Sequence, residues 1–271
     1  MSLKSQIKQR PSILITNDDG IHAKGIRHLW NALKSFADLT VVAPSGEQSA
    51  VGLSTTLRHP LRIEKADWNC GHENIWSITG TPADCVKIGL NVILERRPDF
   101  IVSGINRGAN LGRNVLYSGT VAAAIESIMQ GIPAIAFSCQ DYHVDPDYRS
   151  AENYIPTIVQ YVMDHPLPEG TLLNVNFPEK SLGKYKGFKL ASQGYDLWAE
   201  NPDKRVHPAE GHAYYWLGSQ LKRGKEVNDS DDKWIKEGYI TAVPVHVGNL
   251  TDRDHLNEAK HRFEQSFPGV F

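Results

Sequence analysis

Short strand-like runs alternate regularly with helical segments over the first half of the chain, and few folds accommodate this pattern. The strand-like runs cover residues 13–15, 39–43, 76–79, 100–102 and 134–137. The predicted helices cover residues 26–36, 82–94 and 121–130. A strand, a helix and a second strand within about 30 residues make up one βαβ unit. Repetition of this unit predicts an α/β fold with a doubly wound sheet.

The second half of the chain shows weaker periodicity. A helix over residues 154–163 and strands over 172–176 and 240–245 are predicted, and Pro244 favours an edge position for the last strand because proline cannot donate to a sheet ladder. Residues 184–238 are polar, rich in aromatic residues and punctuated by glycine, without a clear period. We expect an inserted arm of hairpins or loops there rather than more of the core.

Two adjacent aspartates, Asp18 and Asp19, follow the first apolar run. Open α/β sheets bind their ligands at the carboxyl ends of the strands. Adjacent carboxylates repel each other, and a bound cation would offset that repulsion. By composition alone, residues 17–20 are typical of a tight turn. Their position after a buried strand favours a site for a divalent metal ion instead.

Three later turns add further oxygen-bearing side chains. Asn106 ends the fourth strand-like run, and glycines 104, 108 and 112 recur at a period of four, which suits either close approach of the backbone to an anion or a flexible connection. Ser118, Gly119 and Thr120 precede a helix, where they either cap it or bind phosphate. Ser49 lies outside any Gly-x-Ser-x-Gly elbow, which argues against a serine nucleophile.

The bulk properties exclude several classes of protein. The 271 residues carry a formal net charge of −2, which argues against a protein that binds duplex nucleic acid. No apolar run reaches the roughly 18 residues that span a membrane, and residues 1–10 do not resemble a signal peptide. Three cysteines without metal-binding spacing indicate reduced thiols and a cytoplasmic location. Dinucleotide and P-loop fingerprints are absent.

Taken together, the motifs resemble the SurE survival-protein family of metal-dependent 5′-nucleotidases and phosphatases. The matching segments stand in family order at residues 17–23, 80–86, 102–106 and 117–121, and the resemblance resumes at 173–178 and 238–241. It implies a single domain over residues 1–271 with a Rossmann-like core. Residues 184–238 correspond in position to the family's oligomerisation arm near the C-terminus, which implies a homodimer or a homotetramer.

The resemblance also implies roles for individual residues. The metal ligands would be Asp18, Asp19, Ser49 and Asn106, holding one divalent ion, Mg²⁺ or Mn²⁺, in each subunit. The phosphate-binding residues would be Asn110, Ser118, Gly119 and Thr120. Asp18 and Asp19 would also be catalytic, either as the nucleophile or as the general base. The implied reaction is hydrolysis of nucleoside 5′-monophosphates, with 3′-monophosphates and short polyphosphates as further candidate substrates.

Two alternatives remain open at this point. A phosphatase of the haloacid-dehalogenase type also ends its first strand with an aspartate, but that group has Asp-x-Asp spacing, whereas Asp18 and Asp19 are adjacent. A sensor that binds a nucleotide or phosphate without turnover would require the same binding residues.

Overall fold

The strands of the computed structural model form one large mixed sheet and one small ribbon. Residues 10–143, 145–179, 184–198, 201–217 and 221–267 are described. The strands are β1 Ser12–Thr16, β2 Asp38–Pro44, β3 Ile63–Lys65, β4 Ile75–Ile78, β5 Phe100–Arg107, β6 Ala134–Cys139, β7 Thr171–Phe177, β8 Phe188–Leu190, β9 Asp203–Val206, β10 Ala213–Trp216 and β11 Ile240–His246. Within the described residues the large sheet has nine strands in the order β3-β4-β2-β1-β5-β6-β7-β11-β8.

The centre of this sheet is parallel, from β4 through β2, β1, β5 and β6 to β7. β3 and β11 pair antiparallel with their inner neighbours, and β8 pairs parallel with β11. The helices are α1 Lys24–Leu33, α2 Pro82–Ile88, α3 Gly119–Met129, α4 Arg149–Glu152, α5 Ile155–Asp164, α6 Asp231–Lys236 and α7 Arg253–Gln265. The predicted doubly wound, Rossmann-like α/β sheet is confirmed.

Alternate residues of β1 pack on opposite faces of the sheet, as the two-residue period of a strand requires. Ile13 and Ile15 join a core that includes Leu29 of α1 and Val159 of α5. Leu14 joins a second core on the other face, with α2 and α3. Burial on both faces explains why the central strands are continuous apolar runs.

The second predicted helix begins as expected but ends earlier. Thr81 and Asp84 form a capping box, in which the Asp84 amide donates to Thr81 Oγ1 at 3.2 Å and the Thr81 amide donates to Asp84 Oδ2 at 2.9 Å. α2 ends at Ile88, and a π-helical turn, Gly89–Ile93, replaces its predicted continuation. Gly89 packs against Leu14 of the central strand.

The segment 184–238 contributes both to the sheet and to a separate ribbon. β8 extends the sheet beside β11, and Ile235 of α6 is fully buried. β9 and β10 form the two-stranded antiparallel ribbon. Elements of three and six residues are too short to produce a readable period, so the sequence predicted only hairpins or loops here. The assignment of a single domain with an arm over residues 184–238 stays a prediction.

The edge position predicted from Pro244 is only locally correct. β11 lies between β7 and β8, but β8 pairs only with residues 240–242. Pro244 pairs with Leu173 of β7 and, among the described strands, has no neighbour on its other side. α7, which the sequence analysis did not predict, has no buried residue. No helix in the described ranges is long and apolar enough to cross a membrane.

Candidate metal and phosphate site

The turn after β1 is held by the residues that the sequence predicted for it. The Asn17 side-chain amide donates to the Gly20 carbonyl at 2.9 Å, and Gly20 adopts a φ of +98°, which favours glycine. The Ile21 amide donates to the Pro44 carbonyl at 2.8 Å and ties the turn to the end of β2. This turn therefore places Asp18 and Asp19 at the carboxyl edge of the sheet.

Asp18 is buried against the first turn of α3. Its Oδ1 accepts a hydrogen bond from the Thr120 hydroxyl, and the residue is 5% exposed. Gly119 permits this approach, because a Cβ at that position would lie 2.7 Å from the Asp18 Cβ. Burial raises the pKa of the Asp18 carboxyl, while the bond from Thr120 favours the charged form and opposes that rise.

Asp19 is a half-buried neighbour with a strongly shifted pKa. Its Oδ2 accepts a hydrogen bond from the Arg107 backbone amide at 3.1 Å, at the end of β5. Burial raises the pKa of Asp19 to about 7, and the negative charge of Asp18 raises it as well. A divalent cation between the two carboxylates would offset both effects.

Ser49 lies on a loop that contacts this turn, and Asn106 lies near the end of β5. The Gln48 amide donates to the Asp18 carbonyl at 2.7 Å, so the loop that carries Ser49 is held against the turn. The exposed Ser49 hydroxyl donates to Glu47 at 2.6 Å. The Asn106 side-chain nitrogen donates to the Gly108 carbonyl at 2.7 Å, which directs its amide oxygen away from that carbonyl.

The chemistry of these donors fits a hard divalent cation. In the described part of the chain, no group of three or more His, Cys, Asp or Glu residues is placed to hold a metal ion. A metal ion at the aspartate pair would therefore need neutral oxygen ligands, and Ser49 and Asn106 offer a hydroxyl and an amide oxygen. Two carboxylates with neutral oxygens suit Mg²⁺ or Mn²⁺ rather than a soft metal.

Ser118 caps the helix that begins beside Asp18. Its Oγ accepts a hydrogen bond from the Val121 amide at 3.1 Å, so the capping interpretation is correct. The Thr120 hydroxyl donates to Asp18, and the residue lies in the first turn of α3. Backbone amides in that turn lack partners inside the helix, and the helix dipole favours an anion there.

Asn110 is anchored in the sheet by two residues to which the sequence analysis gave no role. Its backbone amide donates to Asn176 Oδ1 at 2.8 Å, and its carbonyl accepts from Asn174 Nδ2 at 2.8 Å. Its own side-chain nitrogen donates to Ser138 Oγ at 2.8 Å. Asn174 and Asn176 are fully buried in β7. The sequence signal that could have revealed them is a pair of asparagines at alternate positions of a largely apolar strand, since buried amides require partners.

The chain is similar to known proteins over most of its length. Residues 13–200 match the model of the family described as survival protein SurE. The chain is 56% identical to 5′-nucleotidase SurE of Protochlamydia amoebophila strain UWE25 over 258 residues, which is 95% of this chain and 98% of that protein. It is 44% identical to 5′-nucleotidase SurE of Christiangramia forsetii, covering 88% of this chain and 92% of that one.

A solved structure is similar over nearly the whole chain. The crystal structure of the SurE protein from Aquifex aeolicus superposes with a TM-score of 0.80 at 36% sequence identity. The alignment covers 93% of this chain and 100% of that one. This level of sequence identity, over this much of each chain, indicates a common family and not only a common fold. The chain therefore belongs to the SurE survival-protein family.

Proposed function

We propose that this protein is a divalent-metal-dependent phosphomonoesterase that hydrolyses nucleoside 5′-monophosphates to nucleoside and phosphate. The observation that carries the proposal is the contact between a buried carboxylate, Asp18, and the first turn of α3. A cation site and an anion-binding helix terminus thus adjoin each other. The relatives named 5′-nucleotidase support the same activity.

One Mg²⁺ or Mn²⁺ ion in each subunit would be held by Asp18, Asp19, Ser49 and Asn106. When bound, such an ion polarises a phosphoryl oxygen and lowers the pKa of a coordinated water molecule. The raised pKa values of the two aspartates favour this assignment, because burial disfavours both free carboxylates and the charge of Asp18 further disfavours that of Asp19.

The phosphoryl group would be bound by the first turn of α3. The backbone amides of Ser118, Gly119 and Thr120 and the hydroxyl of Ser118 would hold its oxygens as negative charge redistributes. The buried loop at Asn110 would form the opposite wall. The fixed position of these donors reduces the reorganisation that the reaction requires.

The two aspartates would also carry the covalent or proton-transfer chemistry. Asp18 is fixed by Thr120, whereas Asp19 is more exposed and is therefore the better placed of the two to accept a proton from water. Direct attack of either carboxylate on phosphorus is the second possible role, and it would leave a phosphorylated aspartate that mass spectrometry detects after rapid quenching.

The arm over residues 184–238 would mediate assembly into a homodimer or homotetramer. The β9–β10 ribbon exposes large apolar side chains, with Val206, Tyr215 and Trp216 each about 60% exposed. Clustered apolar exposure of this kind often marks an interface between proteins. The cytoplasmic location likewise stays a prediction.

The proposal is tested by phosphate release from nucleoside 5′- and 3′-monophosphates and short polyphosphates. The protein is first treated with EDTA and then supplied with Mg²⁺ or Mn²⁺. We expect release that metal restores and that Asp18→Asn reduces by more than about 100-fold, together with weaker Mn²⁺ binding. Asp99→Asn is the matched control, because Asp99 is an exposed aspartate at the opposite end of β5.

Two outcomes would contradict the proposal. Near wild-type turnover of Asp18→Asn with metal would remove Asp18 from the site. Binding of a nucleotide without turnover under any metal, by protein shown to be folded, would favour the alternative of a non-catalytic sensor.

A further inference from the structure

A second buried carboxylate, Asp231 at the start of α6, accepts hydrogen bonds from four neutral donors. Its Oδ2 accepts from the Gly112 amide at 3.2 Å and from Gln193 Nε2 at 2.8 Å. Its Oδ1 accepts from the Gly194 and Asp232 amides, each at 2.8 Å. The residue is completely buried. One carboxylate thus joins three separate parts of the chain.

One of these parts is the 3₁₀ helix Gly112–Leu116, which leads from Asn110 to Ser118. Residues 193–196 hold this helix at two further points. Gln193 Nε2 donates to the Gly112 carbonyl at 2.8 Å, and the Arg113 amide donates to the Asp196 carbonyl at 2.9 Å. A Cβ on Gly112 would lie 2.6 Å from that same Asp196 carbonyl oxygen.

The 3₁₀ helix in turn fixes the start of α3. The Tyr117 amide donates to the Asn114 carbonyl at 3.0 Å, and the Gly52 amide donates to the Tyr117 carbonyl at 3.0 Å. Ser118 follows immediately and caps α3. A displacement of Gly112 would therefore move the connection between Asn110 and Ser118, the two ends of the proposed phosphate site.

We propose that Asp231 is a positioning residue for phosphate binding, which holds the loop between Asn110 and Ser118 in place from outside the site. This inference rests on the proposed function, because it assumes that this loop and the first turn of α3 bind phosphate. The inference assigns the segment 184–238, which contains Asp231, a role in the affinity for phosphate. The role is separate from metal binding, since neither Asp18 nor Asp19 is among the hydrogen-bond partners of Asp231.

A carboxylate is required at this position because two donors converge on each of its oxygens. An asparagine retains a single acceptor oxygen and turns its own NH₂ group toward one of the two donor pairs. A buried donor without an acceptor costs free energy, so we expect the surrounding backbone to shift until the donor finds another acceptor. Asp231→Asn therefore tests the charge and the hydrogen bonds with almost no change in side-chain volume.

The experiment compares Asp231→Asn with Asp84→Asn and Gln193→Met. Asp84 is an equally buried aspartate that accepts backbone amides at the start of another helix, so it controls for the cost of the substitution. Gln193→Met removes the bonds to Gly112 and Asp231 without changing charge. The readouts are calorimetric affinity for inorganic phosphate, affinity for Mn²⁺, kcat and KM for a nucleoside 5′-monophosphate, and thermal unfolding.

We expect Asp231→Asn to weaken phosphate binding and to lower kcat/KM by about 10- to 100-fold. Its Mn²⁺ affinity should stay within about twofold of the wild type. Gln193→Met should likewise weaken phosphate binding and leave the Mn²⁺ affinity unchanged. Asp84→Asn retains wild-type phosphate affinity. If Asp231→Asn fails to fold, Gln193→Met decides the question.

Three results would overturn the inference. The first is unchanged phosphate affinity in the folded variants, the second is an equal loss of phosphate and Mn²⁺ affinity, and the third is an equal loss in Asp84→Asn. Failure of the proposed function is distinguishable, because wild-type protein would then release no phosphate from any nucleotide. Phosphate calorimetry would still decide the role of Asp231, and a wild type that binds no phosphate would remove both proposals.

Discussion

The hydroxyl of Thr120 donates a hydrogen bond to Oδ1 of Asp18, although the two residues lie 102 positions apart in the chain. This bond joins the turn after β1 to the start of α3. It links a buried carboxylate with a helix N-terminus, whose dipole stabilises a negative charge. This hydrogen bond therefore connects the proposed metal side of the site directly to the proposed phosphate side.

Thr120→Val should lower activity by removing this bond while keeping the shape of the side chain. Because the Thr120 bond holds the pKa of Asp18 down, its loss raises that pKa further and favours the protonated form. A hydrogen bond to a charged group contributes about 1.5–3 kcal/mol. We expect kcat/KM at pH 7 to fall by about 10- to 100-fold.

Thr241→Val is the matched control for this measurement. Thr241 is fully buried in β11, and its hydroxyl has no hydrogen-bond partner among the described residues. The control should therefore retain wild-type kinetics. Equal kinetics of the Thr120 and Thr241 variants would show that the bond to Asp18 has no role in turnover.

Gly119→Ala should displace Asp18 and weaken metal binding. The added Cβ would lie 2.7 Å from the Asp18 Cβ and 2.9 Å from its Oδ2, which are both too close. Alanine is a better helix former than glycine, so the substitution does not weaken α3 itself. We expect Mn²⁺ affinity, measured by calorimetry, to fall by about 10- to 100-fold.

Gly71→Ala provides the control for this second substitution. Gly71 has a positive φ of +70°, so alanine there costs stability, but no heavy atom lies within 4 Å of the added Cβ. Reduced stability with unchanged Mn²⁺ affinity is expected. If Gly119→Ala binds Mn²⁺ as tightly as the wild type, Gly119 is not required for the position of Asp18.

The affinity for Mn²⁺ should rise with pH through neutrality. The pKa of Asp19 is about 7 in the folded protein without metal, against an ordinary value of 3.8. Below pH 7 the ion must displace this proton, so the affinity should fall about tenfold for each pH unit. Calorimetry at pH 6, 7 and 8 checks this slope, and equal affinities at pH 6 and 8 would contradict it.

The same group makes the metal-free protein less stable as the pH rises. Between about pH 4 and 7 the folded state binds more protons at Asp19 than the unfolded chain does, so this group's contribution to the free energy of unfolding declines as the pH increases. Mn²⁺ should therefore raise the melting temperature more at pH 8 than at pH 6.

Trp216→Glu should dissociate the proposed oligomer. Trp216 ends the β9–β10 ribbon and is 61% exposed, and a charge there would be buried at cost in an interface. Light scattering should give a mass near the 30.2 kDa of one chain, against a multiple of it for the wild type. Tyr161→Glu, a comparably exposed aromatic residue on α5, should leave the mass unchanged. A monomeric wild type would contradict the assembly proposal itself.

Much of the fold and part of the site were readable along the chain. The apolar runs and the turn after β1 depend on neighbours within a few residues, so local patterns reveal them. The roles of Asn174 and Asp231 were not readable, because their partners lie 64 and 119 positions away. Short elements such as β8 and α6 also escaped prediction, since three to six residues hold too little periodicity.

The sequence alone determined that two aspartates end the first buried strand and that a capped helix follows Ser118, because strand burial and helix capping are local properties. Only the tertiary structure decided that Thr120 meets Asp18, that β7 supplies the amides around Asn110, and that Asp231 supports Gly112. The order of strands in the sheet brings these groups together. The chain topology sets the position of each buried donor, and an acceptor must then lie next to that donor.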